Sequence, residues 1–243
     1  GLHGWGERPG HPLPPEVDAA LEGTIVRSEN CRQRRVVLEL QRRAGGPAAA
    51  RAALAGVLAT AGAEARIGGQ IALPESICFP YLETQTEIDD PFVPALLLGT
   101  STWGVEDAVR LVDSLGDGAY GKALSARVLG LMRQSKRASR EVQEGELTAP
   151  LDWGAGRALA GLEPAYKAGW GGALDGDFMA GQIAVATLPG GGHLAVAAFF
   201  RPEAQPPSDD PGITAAPEAI ETIMRALREE AAKTESMPPE PVG

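Results

Sequence analysis

Cysteine and histidine are scarce in this chain, and basic residues are outnumbered by acidic ones. Two cysteines, Cys31 and Cys78, make no disulfide framework and no C-x-x-C pair; free buried thiols are the expected state. The three histidines, His3, His11 and His193, lie far apart and give no metal-ligand spacing, so no metal site is expected. His193 sits beside a glycine-rich turn and reads as a surface residue. No stretch approaches the roughly 20 apolar residues of a membrane span, so no transmembrane segment is expected. The formal net charge of -10 works against a general nucleic-acid binder, which needs a basic face.

What is present suits a folded domain. The 243 residues are 44% hydrophobic, enough for a sizeable core in one domain or a two-lobed unit. Charge is unevenly placed. Residues 27–51 carry seven arginines against Glu29 and Glu39, and residues 64–117 carry ten acids against Arg66 and Arg110. The arginine run reads first as a solvated helix face, with anion binding as the alternative.

Residues 1–15 are rich in glycine and proline and read as irregular; 16–26 read as a helix or an approach segment. Apolar clustering at Val36, Val37, Leu38 and Leu40 predicts a helix over 36–43, stopped by Gly45-Gly46-Pro47. Pro47 opens an alanine-rich helix over 47–60 that Gly62 closes. Residues 63–99 contain Pro74, Pro80, Pro91 and Pro94, which forbid a long regular element. They read as a long connection, with 67–73 a short strand or loop. Thr100-Ser101-Thr102 suits a helix start, with Glu106 and Asp107 in the first turn and an end near Gly116. Ser125 reads as the cap of a helix through Met132, followed by a polar stretch. The period then changes. Residues 166–170 form a short extended piece, 182–188 and 194–200 make a hairpin around Gly190-Gly191-Gly192, and 216–232 make a helix. The tail from Thr234 reads as disordered. Helices first, then strands, then a terminal helix is an α+β order with helices packed on an antiparallel sheet.

Two short motifs carry the chemistry, Ser28-Glu29-Asn30 and Lys167-Ala168-Gly169. An acyl-transfer site needs a nucleophile, a base, an oxyanion hole and a substrate clamp. A serine hydroxyl beside a lysine can shuttle protons, because burial and nearby charge lower an amine's pKa toward neutrality. A carboxamide such as Asn30 can bind a substrate amide. A K-x-G strand edge offers backbone N–H and C=O groups to an extended substrate, with glycine permitting close approach. Each motif alone is common: Ser28 also fits a turn or cap, and Lys167 a solvated lysine.

Their order and setting resemble the class A β-lactamase and penicillin-binding-protein superfamily, whose signatures are S-x-x-K, S-D-N and K-T-G. The resemblance spans about residues 20–232. It runs from the apolar approach Ile25-Val26 into Ser28-Glu29-Asn30, through two helices and a long loop, to Lys167-Ala168-Gly169, a hairpin and a terminal helix. On that resemblance, Ser28 helps protonate a leaving group, and Glu29 keeps an acid where aspartate is usual. Asn30 contacts the substrate's amide, and Lys167 supplies positive charge for a substrate carboxylate and the proton network. Ala168 deletes the hydroxyl of the usual Thr or Ser, which favours a peptidase or esterase-like relative over a true β-lactam substrate. Gly169 and Trp170 continue the strand, with the Trp170 backbone N–H as an oxyanion donor and its ring lining the cleft. The E-P-x-L-N pattern of the deacylating glutamate is absent. Glu83 is its best stand-in and Glu87 the next, with solvated loop acids the plainer reading.

The S-x-x-K signature is missing. No serine here is followed three positions later by lysine, and the 27 residues before Ser28 contain neither residue. The resemblance therefore puts the nucleophile, its helix and the N-terminal strands outside this chain, and exposed apolar surface is expected. The expected protein is a β-lactamase/transpeptidase-like domain over 16–233, incomplete, with a tail over 234–243. It implies a serine hydrolase acting on an amide or ester through an acyl-enzyme, inactive without its nucleophile. A small-molecule or peptide substrate, no cofactor and an extracytoplasmic location come with it. The alternatives are a non-catalytic binding domain that kept the fold, and an unrelated α+β domain in which both motifs coincide by chance.

Overall fold

The structure is a computed structural model that describes residues 14–27, 30–66, 102–142, 154–172, 178–200 and 211–236. Three helices come first. Pro15 occupies the first turn of α1 (Pro15–Arg27), where its missing N–H is no loss, and the Pro14 carbonyl accepts the N–H groups of Val17 and Asp18. Then come α2 (Asn30–Ala44) and α3 (Pro47–Thr60). Between them Gly45 and Gly46 take φ values of +91° and +127°, a region open to glycine but strained for other residues.

A two-residue strand β1 (Ala65–Arg66) pairs antiparallel with β2 (Thr102–Trp103), which leads into α4 (Val105–Gly116) and α5 (Lys122–Val142). A short α6 (Gly154–Ala158) precedes β3 (Ala165–Gly172), β4 (Phe178–Thr187), β5 (His193–Phe200) and a terminal α7 (Pro211–Ser236). The last three strands form one antiparallel sheet in the order β3-β4-β5. This is the α+β arrangement expected from the sequence.

Both faces of the sheet are covered. Tyr166, Ala184, Ala186, Val196 and Ala198 pack with Ala155, Ala158 and Leu159 around α6 and with Ile220 and Met224 of α7. The alternate residues Ala165 and Val185 pack against Val112 of α4 and Leu129 and Met132 of α5. Successive strand residues point to opposite faces, so adjacent positions serve different layers. This double cover explains the unbroken buried runs at 184–186 and 196–198. Small alanines there let helices approach closely. Gly181 has a related role: a Cβ on it would lie 2.6 Å from Phe199 Cδ1.

Several elements differ from expectation. α2 starts at Asn30, not Val36, because Arg32, Gln33 and Arg35 favour helix without adding to the apolar period. Ser125 caps nothing: its N–H donates to the Gly121 carbonyl at 3.0 Å, so it lies inside α5, which continues to Val142 through the polar stretch. Gly104 caps α4, while Thr102 belongs to β2. The short α6 has no counterpart among the expected elements. α7 begins at Pro211 rather than Ala216, and Thr234–Ser236 are helical rather than tail. Ile67 to Leu73 lie outside the described residues. His193 is not a free surface residue. Its side chain is 16% exposed, with Nε2 2.8 Å from Asp113 Oδ1 and Nδ1 3.8 Å from Asp117 Oδ1. A Cβ on Gly116 would lie 2.5 Å from the same ring. On the arginine-rich α2, Arg42 and Arg43 both hold Glu39, with Nε–O distances of 2.7 and 2.6 Å. The Arg42 hydrogen bond, with Arg43 adding to it, holds that carboxyl down to about 2.

Candidate functional site

Lys167, Ala168, Gly169 and Trp170 are consecutive on β3, which pairs with β4 along one side only among the described residues. Their cross-strand partners are Ile183, Gln182, Gly181 and Ala180. The outer edge of β3 thus has no strand partner among the described residues, the setting in which an extended ligand can add as a further strand, although its Tyr166 and Ala168 carbonyls already accept side-chain donors. The space beside Gly169 is open: a Cβ there would meet no atom within 4 Å, and its φ is not positive. Neither packing nor backbone strain requires glycine at 169, and glycine there keeps the edge approachable.

Lys167 alternates with Tyr166 and Ala168 and so faces the α4–α5 layer. Its Nζ donates to the Ala168 carbonyl at 2.5 Å. Burial pushes the amine down from its ordinary 10.5 to about 8, because a low-dielectric setting disfavours the charged form. The cover comes partly from α5, which docks on β3 beside the lysine. The buried Ser135 hydroxyl lies 2.7 Å from the Tyr166 carbonyl and 2.8 Å from that of Met132. On the opposite face, Gln182 is 1% exposed and accepts the Ala155 N–H at 2.8 Å, holding the start of α6 behind Ala168.

The end of α1 comes to the same region. Val26 packs on Leu131 of α5. Ile25 packs against the cluster that contains Met132 and Ala165. Asp18 of α1 also pairs with Arg127 of α5. Ile25 lies three residues before Ser28, and Ala165 two before Lys167. Ser28, Glu29, Glu83 and Glu87 lie outside the described residues. Asn30 is the first residue of α2, and for Asn30 and Trp170 only the backbone is described.

A second construction bounds the segment between β1 and β2. Ala65 pairs with Trp103 and Arg66 with Thr102. Asp107 accepts the Glu64 N–H at 3.0 Å and the Gly104 N–H at 3.2 Å, and Arg110 donates to the Gly62 carbonyl at 3.0 Å. These N–H donors, Glu64 first, hold the Asp107 carboxyl below its usual range, with Arg110 adding to the effect. The sequence pattern assigns Asp107 a first-turn helix role and does not show this clamp. Its only linear trace is an acid three residues after a glycine.

No protein-family model matches the chain, and no curated protein matches it in sequence. Solved structures do match its fold. It is similar to a chromosome-encoded β-lactamase mutant of Vibrio parahaemolyticus, with TM-score 0.50 and 14% identity over 88% of this chain. It is equally similar to a class A β-lactamase from Mycobacterium abscessus, with TM-score 0.50 and 14% identity over 87% of this chain. The chain spans 65% of the length of each, just under two thirds. The fold is β-lactamase-like, as the two motifs led us to expect.

Proposed function

We propose that this chain carries the substrate-binding and proton-handling part of a serine hydrolase of the β-lactamase and penicillin-binding superfamily. The reaction would be acyl transfer from an amide or ester, with a nucleophile that is not among these 243 residues. The observation that supports this best is a half-buried amine with pKa about 8 on the unpaired edge strand β3, in a β-lactamase-like fold. Near neutral pH such an amine is mostly charged, with roughly one molecule in ten neutral, so it can both attract a carboxylate and exchange a proton. The docking of Ile25 and Ala165 into one cluster supports a shared cleft for the two motifs.

In this reading Lys167 draws in the substrate carboxylate. The Gly169 and Trp170 backbone lines up the scissile carbonyl, with the Trp170 N–H as an oxyanion donor. Asn30 holds the substrate amide, Ser28 passes a proton to the leaving group, and Glu83 activates the deacylating water. Ala168 supplies no hydroxyl to the carboxylate, which points to a peptide or ester substrate. An extracytoplasmic setting goes with this chemistry.

A second reading, a binding domain without turnover, is favoured by Ala168, which lacks the hydroxyl of the usual Thr or Ser. A fluorescent penicillin tests the site. Reversible, saturable binding that falls at least about tenfold in Lys167→Met, with no covalent adduct, is expected, since a charge-assisted contact is lost. A labelled serine within residues 1–243 contradicts the external nucleophile, and unchanged binding in Lys167→Met contradicts the role of the lysine. An S-x-x-K encoded upstream of Gly1 decides for the enzyme, and an upstream region without one decides for the binding domain.

A further inference from the structure

We infer that a cleft beside the β4–β5 hairpin binds a small zwitterion, an α-amino acid with an apolar side chain. The cleft is a shallow, open depression of about 440 Å³, most of whose lining residues are exposed. It is formed where α5, the turn between α6 and β3, and the end of β4 meet. Arg133 comes from the first, Leu162 and Glu163 from the second, and Thr187, Leu188 and Pro189 from the third. None of Lys167, Ala168, Gly169 and Trp170 is among the residues that line it, so it is distinct from the β3 edge described above. The inference does not rest on the acyl-transfer reading.

Two features give the cleft its chemistry. First, Arg133 and Glu163 carry opposite charges on exposed side chains, and neither side chain makes an ion pair or hydrogen bond to another described residue. Opposite charges that share a cleft without touching leave room for a ligand between them. A guanidinium matches a carboxylate bidentately, and a carboxylate matches an ammonium. Leu188 and Pro189, with the part of Leu162 not packed on the core, line the cleft where the ligand's side chain would lie. Second, Glu163 has φ +48°, and among the described residues no other non-glycine residue has a positive φ. An L-residue pays a steric cost for that backbone, and the following Pro164 narrows the choices further. Gly161, two residues earlier, takes φ +89°, so this turn uses glycine where conformation alone decides. A glutamate held at a strained position points to a use for its carboxylate.

The test is an amide NMR titration of the full chain with L-leucine, L-leucinamide and N-acetyl-L-leucine. L-leucine is expected to shift the amides of 161–163 and 187–188 with saturation in the millimolar range. Removing its carboxylate or its ammonium should weaken binding at least about tenfold, and Arg133→Met should do the same to L-leucine. Glu163→Gly separates function from folding: it should raise the melting temperature, because glycine accepts φ +48°, while weakening L-leucine binding to the same degree. Equal shifts from all three probes, no saturable shift with L-leucine, or Glu163→Gly that binds as well as the parent would each overturn the inference.

Discussion

Replacing Lys167 by methionine removes a titrating group while keeping a long, largely apolar side chain in the same place. The folded-state pKa of Lys167 is about 8 against an ordinary 10.5. The folded protein therefore binds this proton more weakly than the unfolded chain does. Between those two values the unfolded state is protonated and the folded state is not, so stability rises with pH across that window. Below about 8 both states are charged, and the cost of holding a charged amine in a buried site is carried in full. A tenfold difference in proton affinity between the two states is worth about 1.4 kcal/mol, so moving from near pH 7 to about pH 9.5 should strengthen the parent by about 2 kcal/mol through this residue. Lys167→Met lacks that contribution. Urea unfolding of both proteins at the two pH values isolates it, because every other titration is shared. The stability advantage of Lys167→Met is expected to be about 2 kcal/mol larger near pH 7 than near pH 9.5. An advantage that is the same at both pH values would refute the reasoning that burial lowers this amine.

Three further outcomes follow from the packing. Gly181→Ala should lose about 1–3 kcal/mol in urea unfolding, because its Cβ would lie 2.6 Å from Phe199 Cδ1; a neutral effect would mean the ring moves freely. Gln182→Ala leaves the Ala155 N–H unpaired and should cost about 1–3 kcal/mol, measured the same way. Asp107→Ala should speed hydrogen exchange at the Glu64 and Gly104 amides, which donate to its carboxylate, with little change in the sheet. Because the Asp107 carboxyl is held below its usual range, its contribution is present above the unfolded value and lost as pH falls through the folded one. The same two amides should therefore lose protection toward acid pH in the parent, after correction for intrinsic exchange.

The parts of the fold legible in the sequence are those with strong local signals. α3 lies between Pro47 and Gly62, and β4 and β5 carry β-branched and aromatic residues on either side of a triple glycine. β3 is legible only as a fragment, because its glycines Gly169, Gly171 and Gly172 dilute any strand pattern and its pairing with β4 supplies the order. The polar end of α5 has no apolar period, and the two-residue strands β1 and β2 have no period at all. Those two strands exist only through partners distant in the chain, Ala65 with Trp103 and Arg66 with Thr102. The site divides in the same way. Lys167-Ala168-Gly169 is readable as a motif. The lowered pKa of Lys167 is not, since it arises from burial in the folded protein. The Asp107 clamp and the Gln182 support are not readable either, because each joins residues distant in sequence.

A charge placed at residue 28 measures directly whether Ser28 and Lys167 share one cleft. Ser28→Asp should raise the Lys167 pKa, followed by NMR of the side-chain ammonium, because a carboxylate within about 4–6 Å favours the charged amine by roughly a unit or more. A rise from about 8 back toward its ordinary 10.5 is the expected result. A Lys167 pKa that does not move would place residue 28 beyond about 10 Å, where solvent screening hides the charge, and would contradict a shared acyl-transfer site.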